Sequence, residues 1–392
     1  MTFTPLESDF YGFANDLTDA EQASLAEIRE FMETRVRPEI DEHWHADAFP
    51  MHLIPGIAAL GVVGPAWAES ARFENSAVYR GWIALEMSRV DASVSTFAAV
   101  QNGLVAGSIG VAGSPEQRAE WLPRLADCSV IGAFGLTEPL SGSDASKGLA
   151  TTARREGDEW VLDGEKRWIG NATHADVVIV WARDVADGEV KGFIVPTSSE
   201  GYAVSKIERK IALRMVQNGH IVLNGVRVPE SMRLQGAASF RDTARVLRLT
   251  RAEVAWSAVG VMIGAYEAAV RYTTERTQFG KPIAAHQLVQ DLLAKSLGHI
   301  TASIALCVQV SRMLDEGRQG DAHSALAKAF TTARMREVVA WCREVCGGNG
   351  IVTDYDVARF FVDAEAIYTY EGTAQMNSLI VGKAITGASA FA

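Results

Sequence analysis

The apolar residues of the chain change their periodicity twice, near residues 131 and 239, and no other feature restricts the fold as strongly. The first part has helical spacing, and Thr18 with Glu21 three residues later predicts the capping box of its first helix. Short β-rich runs between turn residues follow, and helical spacing then returns almost to the end. The pattern predicts an α+β fold with three domains: an N-terminal α-helical domain (1–131), a middle, barrel-like β domain (132–236) and a C-terminal helical bundle (237–392).

Glycines predict the local geometry at three places. The pairs Asp163-Gly164 and Asn224-Gly225 are typical of hairpin turns, so we expect antiparallel strand connections in the middle domain. Gly260 and Gly264 lie one turn apart in a long helical stretch, which predicts a close contact with another helix.

The charge balance narrows the class of partner. The chain has 37 Lys and Arg residues against 48 Asp and Glu residues, a net charge of −11, which is unlike proteins that bind nucleic acid or anionic membranes. The apolar stretch 254–266 is shorter than the roughly 20 residues that cross a bilayer, so we expect no membrane insertion. The N-terminus lacks the pattern of a secretory signal, and four cysteines suit a reducing compartment, so we expect a cytoplasmic protein. The expected partner is a small molecule or another protein.

Several common catalytic motifs are absent from the sequence. It contains no strand-linked Gly-x-Gly-x-x-Gly, no Walker loop, no Gly-x-Ser-x-Gly and no zinc spacing. Cys342 and Cys346 lie one turn apart without a second ligand pair, and His43 and His45 point in different directions on a helix. We therefore expect no metal site.

Three segments are typical of a ligand site. Phe134–Asp144 (FGLTEPLSGSD) is rich in Gly, Ser and Thr, whose amides and hydroxyls suit a phosphate or an aromatic heterocycle. Gly164–Asn171 (GEKRWIGN) places an indole at a strand end, where it packs either on a planar cofactor or in the core. Ile367–Asn377 (IYTYEGTAQMN) places Glu371 just before a helix that Thr373 caps, a setting equally typical of a general base and of a structural carboxylate.

Together these segments make the chain resemble the acyl-CoA dehydrogenase family of flavoproteins. FGLTEPLSGSD, GEKRWIGN, VRVPES, ERTQFGKPIAAHQ, CGGNGI and IYTYEGTAQ occur in family order and at family spacing over nearly the whole chain. The resemblance implies that the C-terminal domain is a four-helix bundle. It also implies FAD-dependent α,β-dehydrogenation of an acyl-CoA to the 2-enoyl-CoA, with Glu371 as the base for the α-proton, hydride transfer to flavin N5 and Arg251 near the base. In the family, the backbone N–H of the base and a flavin ribityl hydroxyl stabilise the developing enolate.

The resemblance implies residues for both ligands and for assembly. The residues implied for FAD in the same subunit are Phe134, Leu136, Thr137, Ser143, Trp168, Ile169, Gly170, Thr373 and Gln375. The residues implied to reach the FAD of a neighbouring subunit are Arg276, Gln278, Phe279, Glu344, Gly347 and Gly348. The residues implied for the acyl-CoA are Ser95, Ser143, Tyr370 and Gly372. Shared cofactor sites imply an oligomer, and we expect a homotetramer or dimer of dimers.

Within the family the chain is most similar to the branch of glutaryl-CoA dehydrogenases and short-chain acyl-CoA oxidases. Gly170 stands where most members have a hydroxyl residue that bonds flavin N5, which leaves only a backbone N–H there. Ser95 and Ser88 stand where the glutaryl enzymes have the arginine and glutamate at the distal carboxylate. A short-chain or branched monocarboxylic acyl-CoA is therefore the expected substrate, because a buried carboxylate without a cation is costly.

The sequence leaves alternatives open for the electron acceptor and for the reaction that the protein carries out. We expect an electron-transfer flavoprotein as the acceptor. The alternatives are glutaryl-CoA oxidation with decarboxylation, direct oxidation by O₂ as in an acyl-CoA oxidase, and a non-enzymatic helical scaffold.

Overall fold

Seven helices form the N-terminal part of the protein in a computed structural model that describes residues 3–390. They are α1 (Asp19–Phe31), α2 (Ile40–Ala46), α3 (Ile54–Ala59), α4 (Ala77–Val90), α5 (Ala92–Ala99), α6 (Gly107–Ala112) and α7 (Pro115–Ala126). Thr18 and Glu21 exchange side-chain-to-backbone hydrogen bonds at the start of α1, so the predicted capping box is confirmed. A π-helical segment, Val100–Ala106, joins α5 to α6, and its residues Val100 and Leu104 line a large cleft of the protein.

The middle part is a seven-stranded sheet with one short helix, α8 (Ala145–Gly148). Its strands are β1 (Gly132–Gly135), β2 (Thr152–Glu156), β3 (Glu159–Ile169), β4 (Val177–Asp184), β5 (Val190–Pro196), β6 (Tyr202–Lys206) and β7 (Gly219–Pro229). The strand order is β1-β4-β2-β3-β7-β6, and β5 also pairs with β4. Strand β4 runs parallel to β1 and β2, while the other pairings are antiparallel. The expectation of purely antiparallel connections is therefore wrong for β4.

The two predicted hairpin turns do not exist, because both dipeptides lie inside long strands. Asp163-Gly164 belongs to β3 and Asn224-Gly225 to β7, and the β3–β7 register shifts between Leu162 and Gly164. The Asp163 carboxylate accepts a hydrogen bond of 2.7 Å from the Gly225 N–H across the two strands. A Cβ on Gly164 would come within 2.7 Å of the Thr151 Cα, so glycine permits a close approach there. The dipeptides form an irregularity in a continuous ladder, as glycine often does in strands.

The C-terminal part is a helical bundle. Its elements are α9 (Phe240–Glu275), β8 (Thr277–Gln278), β9 (Lys281–Pro282), α10 (Gln287–Asp315), α11 (Asp321–Val345), α12 (Val357–Thr369) and α13 (Ala374–Thr386). Helix α11 packs on α9, α10, α12 and α13, and α9 also packs on α4. A Cβ would lie 2.3 Å from the Leu85 carbonyl oxygen if placed on Gly260, and 2.3 Å from the Arg89 carbonyl oxygen if placed on Gly264. The predicted close helix contact is therefore confirmed, and α4 is the partner.

Two helical stretches among residues 3–390 have the length and hydropathy of a membrane span. They are 92–112 and Gln287–Asp315, and the apolar 18-residue window within each is 67% and 39% buried, respectively. The sequence-based test on residues 254–266 missed both. A mostly buried core helix passes the same test, and this description fits 92–112. Helix α10 leaves more of its apolar surface uncovered by the rest of the chain.

Candidate active site

Glu371 lies in the short link between α12 and α13, where the backbone has an uncommon conformation. Glu371 has a φ of 54° and Gly372 a φ of 80°, both in the left-handed region. Non-glycine residues rarely adopt that region, and such strain is typical of functional positions. Thr373 caps α13 by accepting a hydrogen bond of 3.2 Å from the Met376 N–H, as the sequence predicts. The link therefore restricts the direction of the Glu371 side chain.

A buried lysine on α11 anchors this link. The side chain of Lys328 is fully buried, and its Nζ donates to the carbonyl oxygens of Tyr368 at 2.9 Å and Gly372 at 2.7 Å. Asn377 Nδ2 donates to the same Gly372 carbonyl at 2.8 Å. Burial lowers the pKa of Lys328 to about 8, while the nearby Glu371 carboxylate acts in the opposite direction. The backbone beside Glu371 is thus fixed before any ligand arrives.

Two opposing influences act on the Glu371 carboxyl. Burial raises its pKa above the ordinary value, because the charged form loses solvation. Arg251, a hydrogen bond from Thr250, and Lys328 act in the opposite direction. The Thr250 hydroxyl donates to Glu371 Oε2 at 2.9 Å. The carboxyl is therefore more basic than an exposed glutamate and still has partners that stabilise its ionised form.

Glu371 lines a cleft of about 1250 Å³ between the sheet, the π-helical segment, α9 and the α12–α13 link. Ligand pockets for drug-sized molecules have volumes of about 300–1,000 Å³, so this cleft has room for a large cofactor together with the reacting end of a substrate. Arg251 also lines it, and Arg251 Nε is buried without a hydrogen-bond partner among residues 3–390. A buried donor of this kind calls for a ligand or a water.

The loop after β1 forms one wall of the cleft. Four predicted residues of this loop and of β1 line it: Phe134, Leu136, Thr137 and Ser143. Glu138 fixes the loop, since its carboxylate accepts hydrogen bonds from Lys166 Nζ at 2.8 Å and from the N–H groups of Ala150 and Thr151. Burial opposes the charge of Glu138, but Lys166 and the other donors hold its pKa below the ordinary value. Burial lowers the pKa of Lys166 to about 8.

The end of β3 forms the adjoining part of the wall, since the Arg167 N–H donates a hydrogen bond of 2.8 Å to the Thr137 carbonyl oxygen. Trp168, Ile169 and Gly170 all line the cleft. Trp168 has a φ of 64° and is 54% exposed, so the alternative of a core tryptophan is wrong. A Cβ on Gly170 would lie 3.2 Å from Val100 Cγ2, which shows how closely β3 approaches the π-helical segment. An exposed indole beside a glycine offers a flat apolar surface to a planar ligand.

Three family models match the chain in order. They are "Acyl-CoA dehydrogenase, N-terminal domain" over residues 18–129, "Acyl-CoA dehydrogenase, middle domain" over 133–226 and "Acyl-CoA dehydrogenase, C-terminal domain" over 240–386. The chain belongs to the acyl-CoA dehydrogenase family. The predicted family, fold class, enzyme class and cofactor are thereby confirmed: the protein is an FAD-dependent acyl-CoA dehydrogenase.

Individual members of the family cover almost the whole of this acyl-CoA dehydrogenase. The caffeyl-CoA reductase-Etf complex subunit CarC of Acetobacterium woodii is 30% identical over 90% of this chain and 94% of its own. A glutaryl-CoA dehydrogenase from Mycobacterium smegmatis, solved in complex with FADH2, is 34% identical with a TM-score of 0.94 over 98% of both chains. A butyryl-CoA dehydrogenase structure from Megasphaera elsdenii is 30% identical with a TM-score of 0.90, and the match covers 94% of this chain and 99% of that one.

Some residues predicted for this acyl-CoA dehydrogenase lie in the cleft and others do not. Tyr370, Gly372 and Thr373 line it together with Glu371. Gln375 is exposed on the first turn of α13 and is outside the lining. Ser95 is buried and accepts a hydrogen bond of 2.7 Å from the Ser88 hydroxyl, and it too is outside the lining.

The six residues predicted to reach a neighbouring subunit form two exposed groups, and none lines the cleft of this acyl-CoA dehydrogenase chain. One group lies just after α9 and on the β8–β9 hairpin: Arg276, Gln278 and Phe279. The other lies at the end of α11: Glu344, Gly347 and Gly348. Phe279, at the tip of the hairpin, is 94% exposed.

Sequence reasoning missed three side chains that surround the predicted base of the dehydrogenase. Thr250 and Glu253 lie on α9, and Lys328 lies on α11. The signal for Lys328 was a single charge inside the apolar run ALAKAF, which places it on a buried helix face. Thr250 and Glu253 lie one helical turn apart, on either side of Arg251 in the sequence. No local sequence pattern marked either of them as a site residue.

Proposed function

We propose that the enzyme oxidises a short-chain monocarboxylic acyl-CoA, straight or branched, to the 2-enoyl-CoA, and that Glu371 removes the α-proton. The observation that carries this proposal is the Glu371 carboxyl itself, which is half-buried, accepts a hydrogen bond from Thr250 and lies on a strained link at the cleft. An α-C–H bond beside a thioester is a weak acid. A carboxyl with a raised pKa is a better base for it than an exposed one.

Proton removal depends on Glu371 as the acceptor and on Arg251 and Lys328 as the cations near it. Glu371 accepts a proton only in its ionised form, and Arg251 and Lys328 favour that form. The thioester oxygen gains negative charge as the proton leaves, and the Glu371 N–H is the donor that we assign to it. FAD, when bound, supplies the acceptor for the hydride that leaves the β-carbon.

The residues of the cleft suit FAD. The exposed indole of Trp168 and the bare backbone at Gly170 leave room for a planar ring system, and the loop after β1 adds hydroxyls and amides. We assign FAD binding within one subunit to Phe134, Leu136, Thr137, Ser143, Trp168, Ile169, Gly170, Thr373 and Gln375. Ser143, Tyr370 and Gly372 are the lining residues that we assign to the acyl-CoA.

Glutaryl-CoA is the second candidate substrate, because a glutaryl-CoA dehydrogenase structure is 34% identical to the chain. The contacts around Ser95 argue against it. Ser88 and Ser95 bond to each other at 2.7 Å and supply no cation for a distal carboxylate. Release of CO₂ from glutaryl-CoA would favour this candidate over the monocarboxylic one.

We propose an electron-transfer flavoprotein as the electron acceptor. Support comes from the relative named as a subunit of a caffeyl-CoA reductase-Etf complex. The alternative is O₂, and the residue that bears on it is Gly170, which leaves only a backbone N–H at flavin N5. Peroxide formation in air, at the rate of substrate oxidation, would identify an oxidase.

We also propose a cytoplasmic homotetramer in which subunits share FAD sites. The surface that supports an interface is apolar and exposed: Phe279 (94% exposed), Leu288 (82%) and Ile351 (72%) all lie on the C-terminal part. Arg276, Gln278, Phe279, Glu344, Gly347 and Gly348 are the residues that we assign to a neighbour's FAD. All four cysteines are free thiols, as is typical of a reducing compartment.

A panel of acyl-CoA thioesters tests the proposed substrate class. The purified protein should be yellow, and butyryl-CoA or isobutyryl-CoA should bleach the flavin under anaerobic conditions. Failure of every short acyl-CoA to bleach a flavin-loaded protein would contradict the proposal.

A further inference from the structure

A second carboxyl group, Glu253, lies in the cleft without a part in proton removal. It is one helical turn beyond Thr250 on α9 and lines the cleft. Its Oε1 accepts a hydrogen bond of 3.2 Å from Asn102 Nδ2, whereas Oε2 has no hydrogen-bond partner among residues 3–390. A carboxylate has about four acceptor positions, so most of the hydrogen-bonding capacity of Glu253 is unused.

The backbone opposite Glu253 makes room for this carboxyl. Gly103 lies in the π-helical segment, and a Cβ there would come within 2.4 Å of Glu253 Oε2 and 3.0 Å of Thr250 Cγ2. The carboxyl therefore fills the space that a side chain at 103 would take. π-helical turns within helices occur frequently at functional sites, and this one lies against a polar group at the cleft.

The surroundings of Glu253 are unfavourable to a structural carboxylate. No lysine or arginine among residues 3–390 forms an ion pair with it, and the residues that line the cleft with it include the apolar Ala99, Val100, Leu104 and Val254. Burial, assisted by the charge of Glu371, raises the pKa of Glu253 to about 7. An unpaired carboxyl in apolar surroundings costs stability, so it is retained where a ligand uses it.

The spacing between Thr250 and Glu253 along α9 determines which carbon of an acyl chain can reach Glu253. Thr250 links the two carboxyls, because its hydroxyl bonds Glu371 while its methyl group lies on the Gly103 side with Glu253 Oε2. Together with burial, the charges of Glu371 and Glu253 both raise the pKa of Tyr370, which lines the same cleft. Three residues of helix advance about 4.5 Å. If the α-carbon lies at Glu371 and the acyl chain runs along α9 toward Glu253, its γ- or δ-carbon comes beside the Glu253 carboxyl.

We propose that Glu253 selects acyl chains that carry a hydroxyl group on the γ- or δ-carbon, which donates a hydrogen bond to Oε2. The inference rests on the proposed function, because it places the thioester end at Glu371. A carboxyl accepts this bond whether ionised or protonated. The same group repels a distal carboxylate, which adds to the case against glutaryl-CoA.

Two matched pairs of substrates test the inference: butyryl-CoA with 4-hydroxybutyryl-CoA, and valeryl-CoA with 5-hydroxyvaleryl-CoA. The readout is the ratio of kcat/KM for the hydroxylated and plain members of a pair, which does not depend on the active fraction of a preparation. We expect the holoenzyme to prefer the hydroxylated member of at least one pair by about tenfold, the effect of one hydrogen bond to a charged group. Plain chains that are used equally well or better in both pairs would overturn the inference.

Variants of Glu253 test whether this carboxyl causes the preference for the hydroxylated substrates. Glu253→Gln keeps an acceptor oxygen and should retain a preference for the hydroxyl, whereas Glu253→Met should reverse it, because an apolar side chain leaves the hydroxyl unpaired. Glu200→Met, an exposed position outside the cleft, should leave the ratio unchanged. A ratio that survives Glu253→Met would overturn the inference and leave the proposed function intact. If no member of either pair bleaches the flavin, the proposed function fails and the inference fails with it.

Discussion

At the scale of single residues, the ionised form of Glu371 depends on cations that other helices supply. Arg251 comes from α9 and Lys328 from α11, and both lower the pKa that burial raises. Lys328 also holds the carbonyl oxygens of Tyr368 and Gly372. One lysine therefore both fixes the backbone beside Glu371 and favours the ionised form of its carboxyl.

The substitution Lys328→Met should move the pH dependence of the enzyme. A base works only when it is ionised, so kcat/KM falls as the pH drops through the Glu371 pKa, which burial places above the ordinary glutamate value. Loss of the Lys328 charge raises that pKa further, and the acidic limb of the pH profile should move to higher pH. Lys295→Met, at an exposed ion pair on α10, is the matched control. An acidic limb that stays in place, or moves to lower pH, would contradict this account.

The position of Glu371 just before a helix start was predictable from sequence, but the side chains around it were not. Glu371 lies two residues before Thr373, the N-cap of α13, so a local sequence pattern was enough to find both residues. Thr250 lies 121 residues from Glu371, and Lys328 lies 44 residues from Gly372. Contacts of that range depend on how α9 and α11 pack, which no local pattern contains.

At the scale of elements, two glycines let α9 lie directly against α4. The Gly260→Ala substitution would press a methyl group to 2.3 Å from the Leu85 carbonyl oxygen, and the helices would have to separate. We expect a loss of about 1–3 kcal/mol in the free energy of unfolding. Gly298→Ala is the control, because nothing lies within 4 Å of a Cβ there and a mid-helix alanine should stabilise by about 0.5–1 kcal/mol. Denaturant unfolding would measure both, and equal effects of the two substitutions would exclude the close contact.

The buried pair of Glu138 and Lys166 ties β3 to the loop after β1. Their side chains are 5% and 0% exposed, and the bond between them is 2.8 Å long. Lys166→Met leaves the Glu138 charge buried and unpaired, so we expect the free energy of unfolding to drop by about 3–5 kcal/mol and FAD to dissociate more readily. The double variant Glu138→Gln/Lys166→Met should recover most of the loss. No difference in stability between the single and double variants would argue against the pairing.

The elements themselves show where local patterns fail. The α9–α4 contact was predictable because the spacing of Gly260 and Gly264 places both glycines on one helix face. The pairs at 163–164 and 224–225 looked like hairpin turns, yet they lie opposite each other inside β3 and β7. A turn dipeptide and a strand irregularity both require permissive backbone, and only the partner strand distinguishes them.

At the scale of the whole molecule, the C-terminal part exposes apolar surface that a single chain leaves uncovered. Phe279 projects from the β8–β9 hairpin with 94% of its surface exposed. If this hairpin reaches a neighbouring subunit, Phe279→Ser should shift the assembly to smaller species and reduce the FAD content. Light scattering during gel filtration, together with flavin absorbance, would measure both. A wild-type monomer that keeps one FAD per chain would contradict the shared site.

The central claim is that one carboxyl, Glu371, removes the α-proton in a cleft that the whole fold assembles. Anaerobic stopped-flow mixing with butyryl-CoA, in wild type and in Glu371→Gln, tests it most directly. The variant should keep its fold and the absorbance of its bound flavin, because glutamine can still accept the bond from Thr250. Flavin reduction should slow by about a thousandfold, within the range of general base catalysis. A variant that reduces its flavin within a few-fold of the wild-type rate would show that the base lies elsewhere.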